Sequence, residues 1–418
     1  MANIFDYLDW RGDILFSQDP FNEVDNLVLA ELAYTDFDGI IGEDPLQGLS
    51  VRELNERYFS LHTEEEIRGR NTISKLAPLL LPKMAGGARF ADVKVMGYVN
   101  RIDEEDNIQI SAVTYALPDG VLYVAFRGTD STLVGWKEDL SFGYMMETAG
   151  QKYAVDYINR HFSDDRHLLR VGGHSKGGNF AVYGASFCDE SIQERIIEVY
   201  SNDGPGFQEA VTLQPGYEKI LPRVISFIPE ESLFGVLMYN RFENRVIKSS
   251  EKGILQHGAL TWEVMRNHFI KAETTTDTSQ LLDKTLTSWI ESLGEAQRKD
   301  FIDTLYSVMS SAGVDTLVDL KKDPVGSSAR MIKVLRAMEP EKQSMLSDTL
   351  LALMKSGKNA IGSELFESAT GRTAEVILSL KRKWKELTSP QGGTPVRDKQ
   401  EEIGMQPQKL LETDAEEE

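Results

Sequence analysis

The sequence predicts an α/β protein built on a mainly parallel sheet, followed by a C-terminal all-helical region. Between Val93 and Ala272, short β-branched and aromatic runs alternate with helical text, the pattern of a sheet covered on both faces. One of these runs stops at Gly172-Gly173-His174-Ser175-Lys176-Gly177-Gly178 and passes at once into helical text. From about Thr274 onward the strand signals cease, and apolar residues recur only at helical spacing.

In chain order, the first expected helix spans Asp25 to Tyr34, with Val24, Leu27, Val28 and Leu32 on one face and Asp25, Asn26 and Glu31 on the other. Asp44 to Gly87 is charged and irregular, with Leu79, Leu80 and Leu81 ending at Pro82; a helical cap or lid suits it. Strands are expected at Val93–Asn100, Ile108–Ala116 and Val121–Phe126, the last after the turn Pro118-Asp119-Gly120. A helix over Gln151–Phe162 leads to the short strand ending at Gly172, and a second helix covers Asn179–Phe187. Further strands are expected at Ile196–Tyr200, Val224–Ile228 and Arg245–Ile247, then a helix at Thr261–Ile270. Leu282, Leu286, Trp289, Ile290 and Leu293 share one helical face downstream, and Leu346, Leu350, Leu353 and Met354 another; such stripes build cores.

Composition narrows the function. The 418 residues are 41% hydrophobic and 27% charged, as in ordinary globular proteins. A net charge of -21 with no basic run argues against nucleic acid, whose phosphates demand concentrated positive charge. The acidic start MANIFDYLDWRGDILF lacks the pattern of a secretory signal, and no stretch approaches the roughly 18 apolar residues of an integral membrane segment. Cys188 stands alone, so neither an internal disulfide nor a multi-cysteine zinc site is expected, and a cytoplasmic location follows.

Gly173-His174-Ser175-Lys176-Gly177 matches G-x-S-x-G, which holds a serine hydroxyl exposed on a tight strand-to-helix turn of α/β-hydrolases. Glycines are needed there because larger side chains would collide with the neighbouring backbone. A serine hydroxyl needs a base, and the chain has six histidines. His174 adjoins Ser175, and its side chain is expected to point away. His62, His161 and His167 precede the elbow, and His268 falls in the expected helix. His257 lies in a loop after the last strand, where the order serine, acid, histidine puts the base. The orienting acid is Asp203, with Glu231 as the alternative; both follow carboxyl ends of strands, and each has a competing use as a helix cap. The oxyanion hole calls on the N–H of Lys176 and that of Thr129, in Phe126-Arg127-Gly128-Thr129-Asp130, which otherwise reads as a strand-end turn.

Two of these segments together resemble a known family. VAFRGTDSTLVGWKEDL is similar to the oxyanion-loop signature of class 3 lipases, and VGGHSKGGNFAVYGA to their nucleophile elbow. The resemblance is closer to an uncharacterised bacterial α/β-hydrolase family related to those lipases, with NDGPGF at Asn202–Phe207 and QHGALTW at Gln256–Trp262 as further hallmarks. It covers about the first 270 residues and implies an α/β-hydrolase fold with esterase or lipase-like chemistry. Class 3 lipases carry an aspartate after the strand matching Val224–Ile228, where this chain has Pro229-Glu230-Glu231.

The expected organisation is an N-terminal helical cap or lid segment over 1–92 packed on the hydrolase domain, an α/β-hydrolase core over 93–272, a helical domain over 273–388 and a disordered acidic tail over 389–418. The expected chemistry is cleavage of a small-molecule or lipid ester, without metal or organic cofactor. Leu79–Leu81 are the apolar element that a lipid-facing lid would need. The alternative is an inactive hydrolase-fold scaffold that binds a protein partner through the C-terminal helical domain.

Overall fold

The computed structural model describes residues 1–311 apart from 71, 73, 104–107, 130–132, 165, 278, 281–283, 286 and 288–291, together with 313, 330, 333, 334 and 342. The expected stripes at Leu282, Leu286, Trp289 and Ile290 and at Leu346–Met354, and the tail over 389–418, lie outside the described residues.

The N-terminal part is helical: α1 (Ile4–Arg11), α2 (Glu23–Leu32), α3 (Val51–Leu61), α4 (Glu64–Gly69) and α5 (Leu80–Gly86). Apart from α5, each opens with a capping box, so the side chains of Asn3, Asn22, Ser50 and Thr63 satisfy amides that helix geometry leaves unpaired. Pro82, at which the leucine run stops, sits in the first turn of α5, where a missing N–H is tolerated. The leucines before it do not form an exposed apolar strip, because Leu80 and Leu81 are fully buried in the core.

The main sheet has eight strands in sequential order: β1 (Leu49–Ser50), β2 (Lys94–Asp103), β3 (Ile108–Ala116), β4 (Leu122–Phe126), β5 (Leu169–His174), β6 (Ile196–Asn202), β7 (Val224–Pro229) and β8 (Asn244–Ile247). The β1–β4 pairings are antiparallel and the β4–β8 pairings parallel. Helices α6 (Leu133–Ser141), α7 (Ala149–Phe162) and α8 (Lys176–Phe187) lie between the parallel strands in sequence.

Successive strand side chains point to opposite faces, and each face has its own core. Tyr115, Tyr123 and Ala125 pack with the N-terminal helices, whereas Ile110, Val124 and Phe126 pack with residues of α7 and α8. This two-faced burial makes β3 and β4 almost continuously buried. With a helix-covered, largely parallel sheet and a serine at the β5–α8 turn, the architecture is that of the α/β-hydrolase class. No helix among the described residues is long and apolar enough to cross a membrane.

Two further expectations change. Helix α2 has no solvated face, since every residue from Val24 to Leu32 is buried. Its polar side chains find partners inside: Asp25 accepts from Tyr7 at 2.7 Å and pairs with the buried Arg89, and Asn26 accepts from Tyr123 at 2.7 Å. Thr261–Ile270 is not a helix. A short turn at Ala259–Thr261 leads into a hairpin of Val264–Met265 with His268–Phe269, which leaves His268 exposed.

Candidate active site

Ser175 occupies the turn between β5 and α8 with φ 58° and ψ -132°. Such a backbone is unfavourable for a residue with a Cβ and persists only where the surroundings impose it. Here the imposition is close packing: a Cβ on Gly177 would fall on the Phe126 carbonyl, and one on Gly173 would fall on the Gly177 backbone. Ser175 N–H donates to the Asn202 carbonyl at 2.9 Å, which ties the turn to the end of β6. The residue is partly exposed, and its hydroxyl makes no hydrogen bond among the described residues.

Asp203 is fully buried at the end of β6, also at positive φ (52°). One carboxylate oxygen accepts from the Ser232 hydroxyl at 2.5 Å and the Gly235 N–H at 3.0 Å; the other lies 2.6 Å from Nδ1 of His257. The surrounding DGPGF segment is held by Asn179 of α8, whose amide donates to the Pro205 and Gly206 carbonyls at 3.1 and 2.8 Å. Glu231 does not reach the imidazole. It accepts from the Gly253 N–H and lies 3.4 Å from the Gln256 amide, thereby fastening the loop that carries His257. Trp262 Nε1 donates to the Gln256 carbonyl at 2.9 Å, which ties the two ends of QHGALTW together.

The His257 ring packs against Phe234, with centroids 4.1 Å apart, and against His174, at 4.7 Å. His174 does not simply point away from the site. Its Nε2 lies 2.7 Å from the His257 carbonyl, and its Nδ1 lies 3.1 Å from the hydroxyl of Tyr34. Burial, reinforced by neighbouring His257, drives the His174 pKa down to about 3, so its ring is neutral at neutral pH.

At the other side of the turn, Lys176 forms a buried ion pair that spacing alone does not reveal. Its Nζ donates to Gln109 Oε1 at 2.6 Å and to Glu138 Oε2 at 3.1 Å, with Asp139 Oδ1 at 3.8 Å. The other Glu138 oxygen accepts from Gly150 N–H and the Thr148 hydroxyl at the start of α7, a site where backbone amides favour negative charge. Thr129 is buried, and its hydroxyl donates to Asp139 at 2.5 Å. Burial, opposed by Lys176, pushes the Asp139 carboxyl up to about 6. Asp130 lies outside the described residues. Glu138 and Asp139 stand within VAFRGTDSTLVGWKEDL, but nothing in the linear text pairs them with a lysine in the next motif.

Removing Glu138 leaves the buried Lys176 ammonium with only the more distant carboxylate of Asp139, 3.8 Å away, so Glu138→Ala should cost about 3 kcal/mol of stability. Chemical denaturation reads that loss as a lower midpoint. Glu31 makes a second, pH-dependent prediction. It is fully buried, with neither carboxyl oxygen hydrogen-bonded among the described residues, and burial pushes its pKa from 4.5 up to about 7 despite an opposing effect of Ser74. A raised folded-state value means that its stability contribution is full below the unfolded pKa and is lost as pH rises through about 7. Glu31→Gln should therefore flatten the fall in stability between about pH 5 and about pH 8, by on the order of 3 kcal/mol. Denaturation series at the two pH values provide the check.

Comparison with curated proteins gives no match. Among solved structures, a deletion mutant of Rhizomucor miehei lipase in complex with its propeptide is 15% identical, covering 51% of this chain and 81% of that one with a TM-score of 0.34. M37 lipase is 14% identical, covering 44% and 69% with a TM-score of 0.30. The native R. miehei lipase–propeptide complex is 16% identical, covering 48% and 70% with a TM-score of 0.27. The Mbeg1-like family model matches residues 84–307, from α5 through the elbow and the His257 loop into the helix Glu295–Ser311, and the chain therefore belongs to the Mbeg1-like family.

Proposed function

We propose that this chain is a serine hydrolase, esterase- or lipase-like, that cleaves a carboxylic ester through an acyl-enzyme intermediate. One observation carries the reading: a serine held at positive φ in a glycine-bounded turn, its neighbour His174 stacked 4.7 Å from the ring of a histidine whose Nδ1 meets a buried aspartate. In this scheme Ser175 Oγ attacks the carbonyl carbon as its proton passes to Nε2 of His257. Asp203 holds the ring so that Nε2 faces the serine and steadies the positive charge that develops. The backbone N–H of Lys176 belongs to the first turn of α8, where amides lack intrahelical partners, and it joins that of Thr129 in binding the oxyanion. Collapse breaks the ester C–O bond, and the alcohol leaves with the proton from His257. Water then repeats the sequence on the acyl-enzyme and restores the serine.

The hydroxyl and the imidazole are not hydrogen-bonded to one another, as is common before substrate binds, because such bonds tighten in the Michaelis complex. The test is labelling by a fluorophosphonate with peptide mapping. A single adduct on Ser175 supports the proposal. Folded protein that resists the reagent and ignores short-chain esters overturns it in favour of a non-catalytic scaffold.

A further inference from the structure

The geometry points to His174 as a positioning residue that clamps the His257 loop to the elbow, with Tyr34 fixing the tautomer in which it does so. This rests on the serine-hydrolase reading above. The His257 carbonyl can only accept, so the 2.7 Å contact makes Nε2 of His174 the donor. A neutral ring then presents Nδ1 as an acceptor, and the Tyr34 hydroxyl 3.1 Å away donates to it, sharing its one proton with the His174 carbonyl at the longer distance of 3.3 Å. The two bonds are mutually dependent: a proton on Nδ1 instead of Nε2 would face the His257 carbonyl with a lone pair and lose the clamp.

The clamp acts where the loop needs it. Residues 253–257 form a short turn with Leu255 61% exposed, fastened at Gly253 and Gln256 by Glu231 and Trp262 and at His257 by the clamp. His257 is secured at its ring by Asp203 and at its backbone by His174, the residue bonded directly to Ser175. Distance between base and nucleophile is thereby set through one rigid side chain. Tyr34 brings the N-terminal segment into this arrangement, since it follows α2 and precedes the family-matched residues 84–307. Its hydroxyl also lies 3.3 Å from the His174 carbonyl, and a Cβ on Gly128 would fall on it, so the helix, the elbow and the oxyanion loop converge on one oxygen. A base misplaced by about 1 Å loses up to about 100-fold in rate without weakening substrate binding.

The experiment uses the full chain with Tyr34→Phe, His174→Phe and His174→Gln, p-nitrophenyl butyrate as substrate, and proton NMR of the His257 Nδ1–H resonance, assigned by its loss in Asp203→Asn. Tyr34→Phe and His174→Phe are expected to lower kcat about 10- to 100-fold with KM within about twofold, and to broaden or abolish the resonance. His174→Gln, whose amide restores a donor near the Nε2 position, is expected to recover most of both. Wild-type kcat and an unchanged resonance in Tyr34→Phe and His174→Phe overturn the clamp, as does a loss confined to thermal stability. Should His174→Phe fail to fold, Tyr34→Phe, which removes one oxygen, decides alone. If the wild-type chain is inert to ester and fluorophosphonate, the hydrolase reading fails separately, and the resonance still reports whether His174 holds His257.

Discussion

Replacing Ser175 with alanine should lower turnover of an activated ester by about 10⁴- to 10⁶-fold and abolish fluorophosphonate labelling. The expected loss is this large because a nucleophile and its base act as a unit, so removing one forfeits the covalent route and leaves only binding and oxyanion stabilisation. Stability should hardly move. The hydroxyl makes no hydrogen bond among the described residues, the Cβ is retained, and the turn is imposed by its glycines, so a change within about 0.5 kcal/mol is expected. Parallel kinetics and thermal melts of the two proteins separate lost chemistry from lost fold.

Asp203→Asn should lower kcat by about 10³- to 10⁴-fold with little change in KM, because an amide can present N–H to Nδ1 and favour the wrong tautomer of His257. Glu231→Gln is the informative contrast. Both carboxylates follow strands and both serve the His257 loop, but only Asp203 touches the imidazole, whereas Glu231 bonds to the Gly253 backbone. Its loss should cost less than about tenfold in kcat and appear mainly as a lower melting point. Equal kinetic losses in the two variants would remove Asp203 from its proposed role.

The two charge predictions concern groups whose burial linear reading does not reveal. Glu31 sits on the face that spacing marks as polar, and Glu138 stands in a segment read only as part of a motif, yet both are buried. Glu138 is inside because Lys176, Gln109 and the start of α7 surround it. Glu31 is inside because α2 is enclosed on every side, between the sheet and the other N-terminal helices. Periodicity reports one buried face of a helix; it carries no information about a second layer covering the other.

Several features were determined by sequence alone. Strand positions from Ile108 to Ile247 follow from β-branched runs bounded by turn residues, because these are local steric preferences. The elbow is legible for the same reason: Gly173 and Gly177 flank Ser175 within one turn of chain, and their constraint is local backbone clearance. Only the tertiary structure set Asp203, and not Glu231, against the His257 ring, turned His174 toward His257, drew Tyr34 in from the N-terminal segment and paired Lys176 with Glu138. Those arrangements join residues 38 to 140 positions apart, and such contacts are set by how layers pack on the sheet, which no spacing along the chain encodes.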